Sequence, residues 1–549
     1  MIRAFINGKI YINAGEFAEA VLVENGIFTK VGTSAEVKSL AESLGKDCEV
    51  INLEGRTVLP GFNDSHSHLY NAGVLLTSLA FGDCKSIAEF IEAGKAFIAK
   101  NNIPAGKLVT GYRWNQDLFK VDGCRLPDRH DLDKISTRHP IIAYRACTHM
   151  ISCNSLALEM AGITKDTSDV PGGEIRRDEN GELNGILTEH AMVLIDTLKS
   201  GFNIEEMANA IQAGMEYASS YGITSIQTNC VRNENAEVML KAYNLVYERG
   251  QAPLRTYHQC CFTDIDGLKG FIAAGYKMGD NLSGSCDMHQ IGPIKMFVDG
   301  SLGAHTAAMR APYADAPETK GVYCCTIEEL DEIVTTAHNA GFGCAIHAIG
   351  DGAIDMVLTS YEKVIKNGDN KLRHGIIHVQ VTDMGLLERF KNSNVLALVQ
   401  PIFLHYDIGI VEKRVGTELA GTSYAFNTMN KLGVHASYGT DAPIEDLNPF
   451  ENLHCAVNRQ DLSGNPQNGF YPNECVSLEA AIDNYTIESA YASFDETKKG
   501  RIALGFLADM CVLSEDIFST KTIMSNKVVL TVLGGKIVYN DPGDLFFNL

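Results

Sequence analysis

The sequence has little positive charge for its length. Its 46 Lys and Arg stand against 68 Asp and Glu, a formal net charge of −22 over 549 residues. Such a surface repels nucleic-acid phosphates and anionic lipid headgroups, so neither is an expected partner. Long hydrophobic runs are missing too. No stretch of about 18 apolar residues occurs, which argues against a membrane-spanning helix. The segment Met1 to Lys9 lacks the long apolar run that marks a secreted chain. Among the 15 cysteines there is no Cys-x-x-Cys pair, and the adjacent pairs Cys260-Cys261 and Cys324-Cys325 are poor disulfide partners. The expectation is reduced thiols, mostly core residues, in a cytoplasmic protein.

What is present is ordinary for a globular protein: 45% hydrophobic and 21% charged residues. The length favours two or three domains. Residues 1–57 read as short strands, with Ala4-Phe5-Ile6, Lys9–Ile12 and Ala20–Val23 separated by turns at Asn7-Gly8, Asn13-Ala14-Gly15 and Asn25-Gly26. Near the other end, Val528–Tyr539 echoes Phe5–Ile12. Matching hairpins predict one small β-sandwich built from 1–57 plus 500–549, flanking a domain over 58–499. Within that domain, about 70–220 lacks a regular rhythm and reads as an insertion. It opens with the capping box Ser86-x-x-Glu89.

From 203 onward strands and helices alternate. Apolar strands are expected at Ile223–Thr228, Arg255–Cys260, Ile294–Val298, Gly343–Gly350, Gly375–Gln380, Val395–Gln400 and Val434–Thr440. The clearest helix runs from the capping box Thr326-x-x-Glu329 to a stop at Gly341. The run Val58–Leu69, which passes Pro60-Gly61 and ends in His66-Ser67-His68, adds an eighth strand. Eight βα units close a (β/α)8 TIM barrel, with the insertion following its first strand. Functional side chains of such a barrel lie at the C-terminal ends of its strands. The first end gives His66 and His68, the fourth Lys295, the fifth His347, the sixth His378 and the eighth Asp441. Any one of these has an ordinary explanation as a hydrogen-bonded core histidine, a snorkelling lysine or a turn former. Together they converge on one mouth, and nitrogen and oxygen donors without thiolate suit zinc or another first-row divalent ion.

The ordered set His-x-His, Lys, His, His, Asp resembles the amidohydrolase superfamily. Pro60–His68, Lys295–Gly303, His347–Asp351, Gly439–Pro443 and Gly505–Leu513 look like its YtcJ-like branch. The resemblance spans nearly the whole chain. It implies a first metal on His66, His68 and Asp441, a second on His347 and His378, and a bridging CO2-derived carbamate on Lys295. Whether one or two ions bind stays open at this point. A bare ammonium in an apolar strand is costly, and burial lowers its pKa toward a neutral amine able to react with CO2. The implied reaction is hydrolysis of a non-peptide amide of a small molecule by metal-activated hydroxide, with Asp441 as general base and then acid.

Further strings of that branch, around Gly111–Gln116, Arg145–Asn154 and Leu187–Glu189, imply substrate contacts from Arg113, Trp114 and His149, with His305 and Arg310 as further candidates. The chain carries Ala304-His305 where the family pattern has Ser-Arg, so no arginine contact is carried over there. Two alternatives stand beside this reading: a mononuclear deaminase of the same superfamily, and a barrel without catalysis. Lys295 argues against the first and the intact ligand set against the second. The expected partner is a small-molecule substrate, with a homodimer as the default assembly.

Overall fold

The computed structural model describes residues 2–45, 48–147, 149–198, 203–284, 288–520 and 522–543. Met1, residues 46, 47 and 521, and 544–549 of the expected sandwich segments lie outside that set. The chain falls into two compact units, Met1–Asn71 with Gly214–Leu549, and Ala72–Ala213.

The first unit contains an eight-stranded parallel barrel sheet. Its strands are β1 (Phe62–Ser67), β2 (Ile223–Thr228), β3 (Arg255–Cys261), β4 (His289–Phe297), β5 (Cys344–Ala348), β6 (Gly375–His378), β7 (Leu396–Val399) and β8 (Ala436–Tyr438), paired in that order. β1 and β8 are the ends of the sheet. Beyond them, Asp441 N donates to His66 O at 2.8 Å and His68 N to Ala442 O at 2.6 Å. Buried on both faces, parallel strands read as near-continuous apolar runs, which is why most of them are visible in the sequence; β1, mostly polar, is visible through its His66-x-His68 ending. The helix after β4, Ile327–Asn339, has its expected capping box: Thr326 Oγ1 accepts from Glu329 N, and the Glu329 carboxylate accepts from Thr326 N.

Three details differ from expectation. The run Val58–Leu69 is two strands. Thr57–Pro60 pairs with Lys9–Asn13 and Met510–Leu513, whereas β1 belongs to the barrel. The chain changes sheets at Gly61, where a Cβ would fall 2.2 Å from Thr224 Oγ1, so a side chain there would collide with that of Thr224. β4 begins at His289, earlier than expected, because it runs through Gly292-Pro293 beside an irregular register with β3. Third, Phe5–Ile12 is not a hairpin. Ile2–Ile6 belongs to a four-stranded sheet and Lys9–Asn13 to a six-stranded one, with Asn7 in the left-handed region (φ 57°) redirecting the chain.

The four-stranded sheet is ordered Ile27–Gly32, Ala20–Glu24, Ile2–Ile6, Cys48–Asn52. The six-stranded sheet draws on both ends of the chain, from Lys536–Asn540 to Glu16–Ala18. One apolar core includes Phe5, Val21 and Phe28 of the first sheet and Ile10, Met510 and Leu530 of the second. Arg255, which opens β3, donates bidentately to Asp509 at 2.8 and 3.1 Å, and both side chains are buried. Replacing Arg255 with Met should leave the Asp509 charge uncompensated and lower unfolding stability by about 3–5 kcal/mol. Urea denaturation of the variant checks this.

The second unit has its own six-stranded mixed sheet, ordered Gly173–Arg177, Leu183–Glu189, Met150–Cys153, Ile141–Arg145, Val109–Trp114, Leu79–Ala80. Among the described residues, no helix is long and apolar enough to cross a membrane.

Candidate metal centre

The centre is assembled from the C-terminal ends of the barrel strands. His66 is on β1, and His68 lies just past its end. Asp441 follows β8 on a turn whose backbone is itself constrained. Asp64, fully buried, accepts hydrogen bonds from His66 N (3.1 Å), Thr440 N (3.0 Å), Thr440 Oγ1 (2.7 Å) and Tyr485 OH (3.2 Å). Burial raises its carboxyl to about 7, against the pull of these donors. Asp64 thereby fastens the β8 end to the β1 end, and Asp441 is held at φ 57°, a region that asparagine and aspartate tolerate best.

The consequence is convergence. Asp441 Oδ1 lies 3.2 Å from His66 Nε2 and 3.2 Å from His68 Nε2. One ligand atom from each residue lies within 4.8 Å of the others, the one such His/Cys/Asp/Glu group among the described residues. Asp441 Oδ1 has no hydrogen-bond partner although it is buried. Burial, then the nearby Lys295 charge, lowers His66 to about 4, so its ring is neutral near neutral pH. A buried carboxylate oxygen facing two imidazole nitrogens fits a divalent cation.

The other three expected ligands lie around this group. The His378 ring centroid is 5.7 Å from that of His66 and 4.5 Å from that of His347. His378 has φ 81°, unusual for a non-glycine residue. His347 Nδ1 stands 3.1 Å from Asp299 Oδ1 without the alignment of a hydrogen bond. Asp299 is fixed by Ala308 N, Ile349 N and Gly350 N. Lys295 on β4 is fully buried, and its Nζ has no hydrogen-bond partner. It lies 4.7 Å from the centroid of the Phe297 ring. Burial lowers its ammonium to about 8.

The ligands' far nitrogens are also engaged. His66 Nδ1 meets Gln259 Oε1 at 2.5 Å, His378 Nδ1 meets Gln400 Oε1 at 2.7 Å, and His68 Nδ1 meets Asn229 O at 3.0 Å. Sequence reasoning missed Asp64, Asp299, Gln259 and Gln400. Asp299 and Gln400 lie just past the ends of β4 and β7, a positional signal, whereas Asp64 and Gln259 lie inside β1 and β3 and offered none.

The expected substrate contacts are distributed differently. In the first unit, His305 Nε2 pairs with Asp315 at 3.1 Å, and Arg310 donates to Asp383 at 2.6 Å and to Asp355 at 3.2 Å. Both spend polar atoms on neighbouring carboxylates. In the second unit, His149 is exposed and bonds Glu189 at 2.9 Å, and Arg113 is exposed with φ 69°. Trp114 is fully buried in that unit's own core, and its indole N–H donates to Ala143 O at 2.9 Å. A ring with no exposed surface and a satisfied N–H is a packing residue, so the expected contact from Trp114 is not carried forward.

A model of the amidohydrolase family matches residues 49–539. YtcJ of Bacillus subtilis (strain 168), an amidohydrolase by name, is 33% identical over 545 residues, covering 97% of this chain and 98% of its own. The N-substituted formamide deformylase of Arthrobacter pascens is 28% identical, over 96% of each chain. A crystal structure of an uncharacterized metal-dependent hydrolase from Pyrococcus horikoshii OT3 superposes with a TM-score of 0.76 at 28% identity, covering 95% of this chain and 99% of that one.

Proposed function

Because the chain belongs to the amidohydrolase family, and its relatives include by name an N-substituted formamide deformylase and a metal-dependent hydrolase, we propose that it hydrolyses a non-peptide amide of a small molecule. The observation that carries this reading is the convergence of His66 Nε2, His68 Nε2 and Asp441 Oδ1. These three would hold one divalent ion, zinc by donor type. His347 and His378 would hold a second, with Lys295 as its carbamate between them. Bound divalent metal supplies Lewis acidity toward a carbonyl and brings the ionisation of water near neutrality.

The chain's own groups supply the rest. Asp441 takes the proton from the attacking water and returns it to the leaving nitrogen. Burial holds the His66 and His378 imidazoles well below their ordinary range, so neither ring competes with a cation as a positive charge. Phe297 and Phe403 flank it, Phe403 stacking on His378 at 5.7 Å and Phe297 tilted against His347 at 5.2 Å, so apolar walls adjoin the reacting groups. N-acyl and N-formyl amines are the substrates to try first, in keeping with the name of the Arthrobacter pascens relative. Arg113, His149, His305 and Arg310 are the proposed substrate contacts. We also read the two terminal sheets as a β-sandwich and 58–499 as the hydrolase domain.

A single-ion reading has one observation in its favour, since only three ligands converge tightly. The test is elemental analysis of protein expressed with zinc and bicarbonate, followed by a screen of N-substituted formamides for amine release. About two equivalents per chain with amine release is the expected result. About one equivalent would favour the mononuclear deaminase mechanism. A folded protein without metal would end the reading.

A further inference from the structure

We infer that Gln259 and Gln400 are positioning residues that fix the tautomers of His66 and His378 and so turn one ring nitrogen of each toward the metal. The inference rests on the metal-binding reading above. A neutral imidazole carries its proton on one nitrogen and a lone pair on the other, and only the lone pair can bind a cation. A glutamine amide could present either end to the ring, so something must decide which.

At Gln259 the decision is made by Ser65. Gln259 Nε2 donates to Ser65 O at 2.9 Å, and a carbonyl can only accept. The amide oxygen therefore faces His66 Nδ1, 2.5 Å away, and Nδ1 must carry the proton. The lone pair is left on Nε2, the atom 3.2 Å from Asp441 Oδ1. Gln400 repeats the device on another strand. Its Nε2 donates to Leu398 O at 3.2 Å, and its Oε1 faces His378 Nδ1 at 2.7 Å. His68 reaches the same state with a backbone acceptor, Asn229 O. Asn229 is tied in turn to the Gln259 backbone, its Nδ2 donating to Gln259 O at 2.9 Å.

With these tautomers, His66 Nε2, His68 Nε2 and Asp441 Oδ1 are three acceptors facing one another with no donor between them. Such a group is poorly satisfied alone and well satisfied around a cation. A buried glutamine with both ends bonded could equally serve only to complete a core, and that alternative predicts a different result. It predicts lost stability and an unchanged metal affinity.

The experiment compares the full-length wild type with Gln259→Met, Gln400→Met and Gln400→Glu. Methionine keeps the shape of glutamine and removes the acceptor, whereas glutamate keeps an acceptor oxygen at the end of the chain. Each protein is stripped of metal, its melting temperature is recorded, and zinc is titrated against a chromophoric chelator. Both methionine variants should bind zinc about 10–100-fold more weakly than wild type, and Gln400→Glu should return close to wild-type affinity. Methionine variants with wild-type affinity, or a Gln400→Glu variant as weak as Gln400→Met, would overturn the inference and leave the metal reading intact. If Gln259→Met does not fold, the two Gln400 variants decide. A wild-type protein that binds no zinc at the centre would overturn the metal reading itself, and this inference with it.

Discussion

Replacing Asp441 with alanine is expected to lower turnover by at least about 10²–10⁴-fold while the protein stays folded. The fold has little stake in this side chain. Its Oδ1 accepts no hydrogen bond, and the tie to β1 runs through the backbone, Asp441 N to His66 O. The neighbouring anchor is Asp64, whose hydrogen bonds to Thr440 survive the substitution. The chemistry loses more, because one group is proposed both as ligand and as the carrier of the proton between water and the leaving nitrogen. Alanine tolerates φ 57° less well than aspartate, so Asp441→Asn is the control that keeps the backbone at ease and still removes the acid–base function. The measurement is kcat on an accepted amide with metal-loaded protein, beside a circular-dichroism melt. Activity retained in either variant would remove Asp441 from the mechanism.

Which parts of this centre could be read from the sequence follows from what each part requires. Ligands need particular residue types at strand ends, and parallel strands announce themselves as apolar runs, so His66, His68, Lys295, His347, His378 and Asp441 stood out. Their placement at the ends of β1, β4, β5, β6 and β8 is what the alternation of strands and helices predicts. Gln259 and Gln400 did not stand out, because an amide has no titrating group and no fixed spacing to its partner. Gln259 lies 193 residues from His66, and only the barrel brings them together. Gly61 misled in the other direction. The apolar run Val58–Pro60 before it and the His66-x-His68 alternation after it read as one strand, and the close approach to Thr224 that separates two sheets there is a tertiary fact. Trp114 shows the same limit. A solitary aromatic in a polar string invites a functional reading, yet a large ring more often serves to fill a core, as it does between the helices and sheet of the second unit.

Lys295→Met is expected to move activity and stability in opposite directions. If the carbamate of Lys295 joins two ions, the variant should keep about one zinc per chain instead of about two, and turnover should fall with the missing ion. Omitting CO2 and bicarbonate while metal is added back to wild type should produce the same deficit. The metal-free protein should behave otherwise. There the Lys295 ammonium is fully buried with no hydrogen-bond partner, beside the face of Phe297, and the pull of Asp441 and Asp299 does not outweigh its burial. Burial lowers its pKa from 10.5 to about 8. A group depressed in this way favours the folded state above its unfolded pKa and loses that contribution as pH falls through the folded value. Below about pH 8 the folded chain therefore bears an uncompensated charge, at a cost on the order of 3 kcal/mol. Methionine removes it. The melting temperature of metal-free Lys295→Met should exceed that of metal-free wild type by the widest margin below about pH 8. The margin should narrow between about pH 8 and 10.5 as the wild-type amine loses its proton. A residue held only for packing would give no such closing gap. A lysine destabilising when bare but required when metal is present is what a carbamate precursor should look like. A Lys295→Met variant that is less stable than wild type without metal, or that binds as much zinc with it, would take the bridging role away.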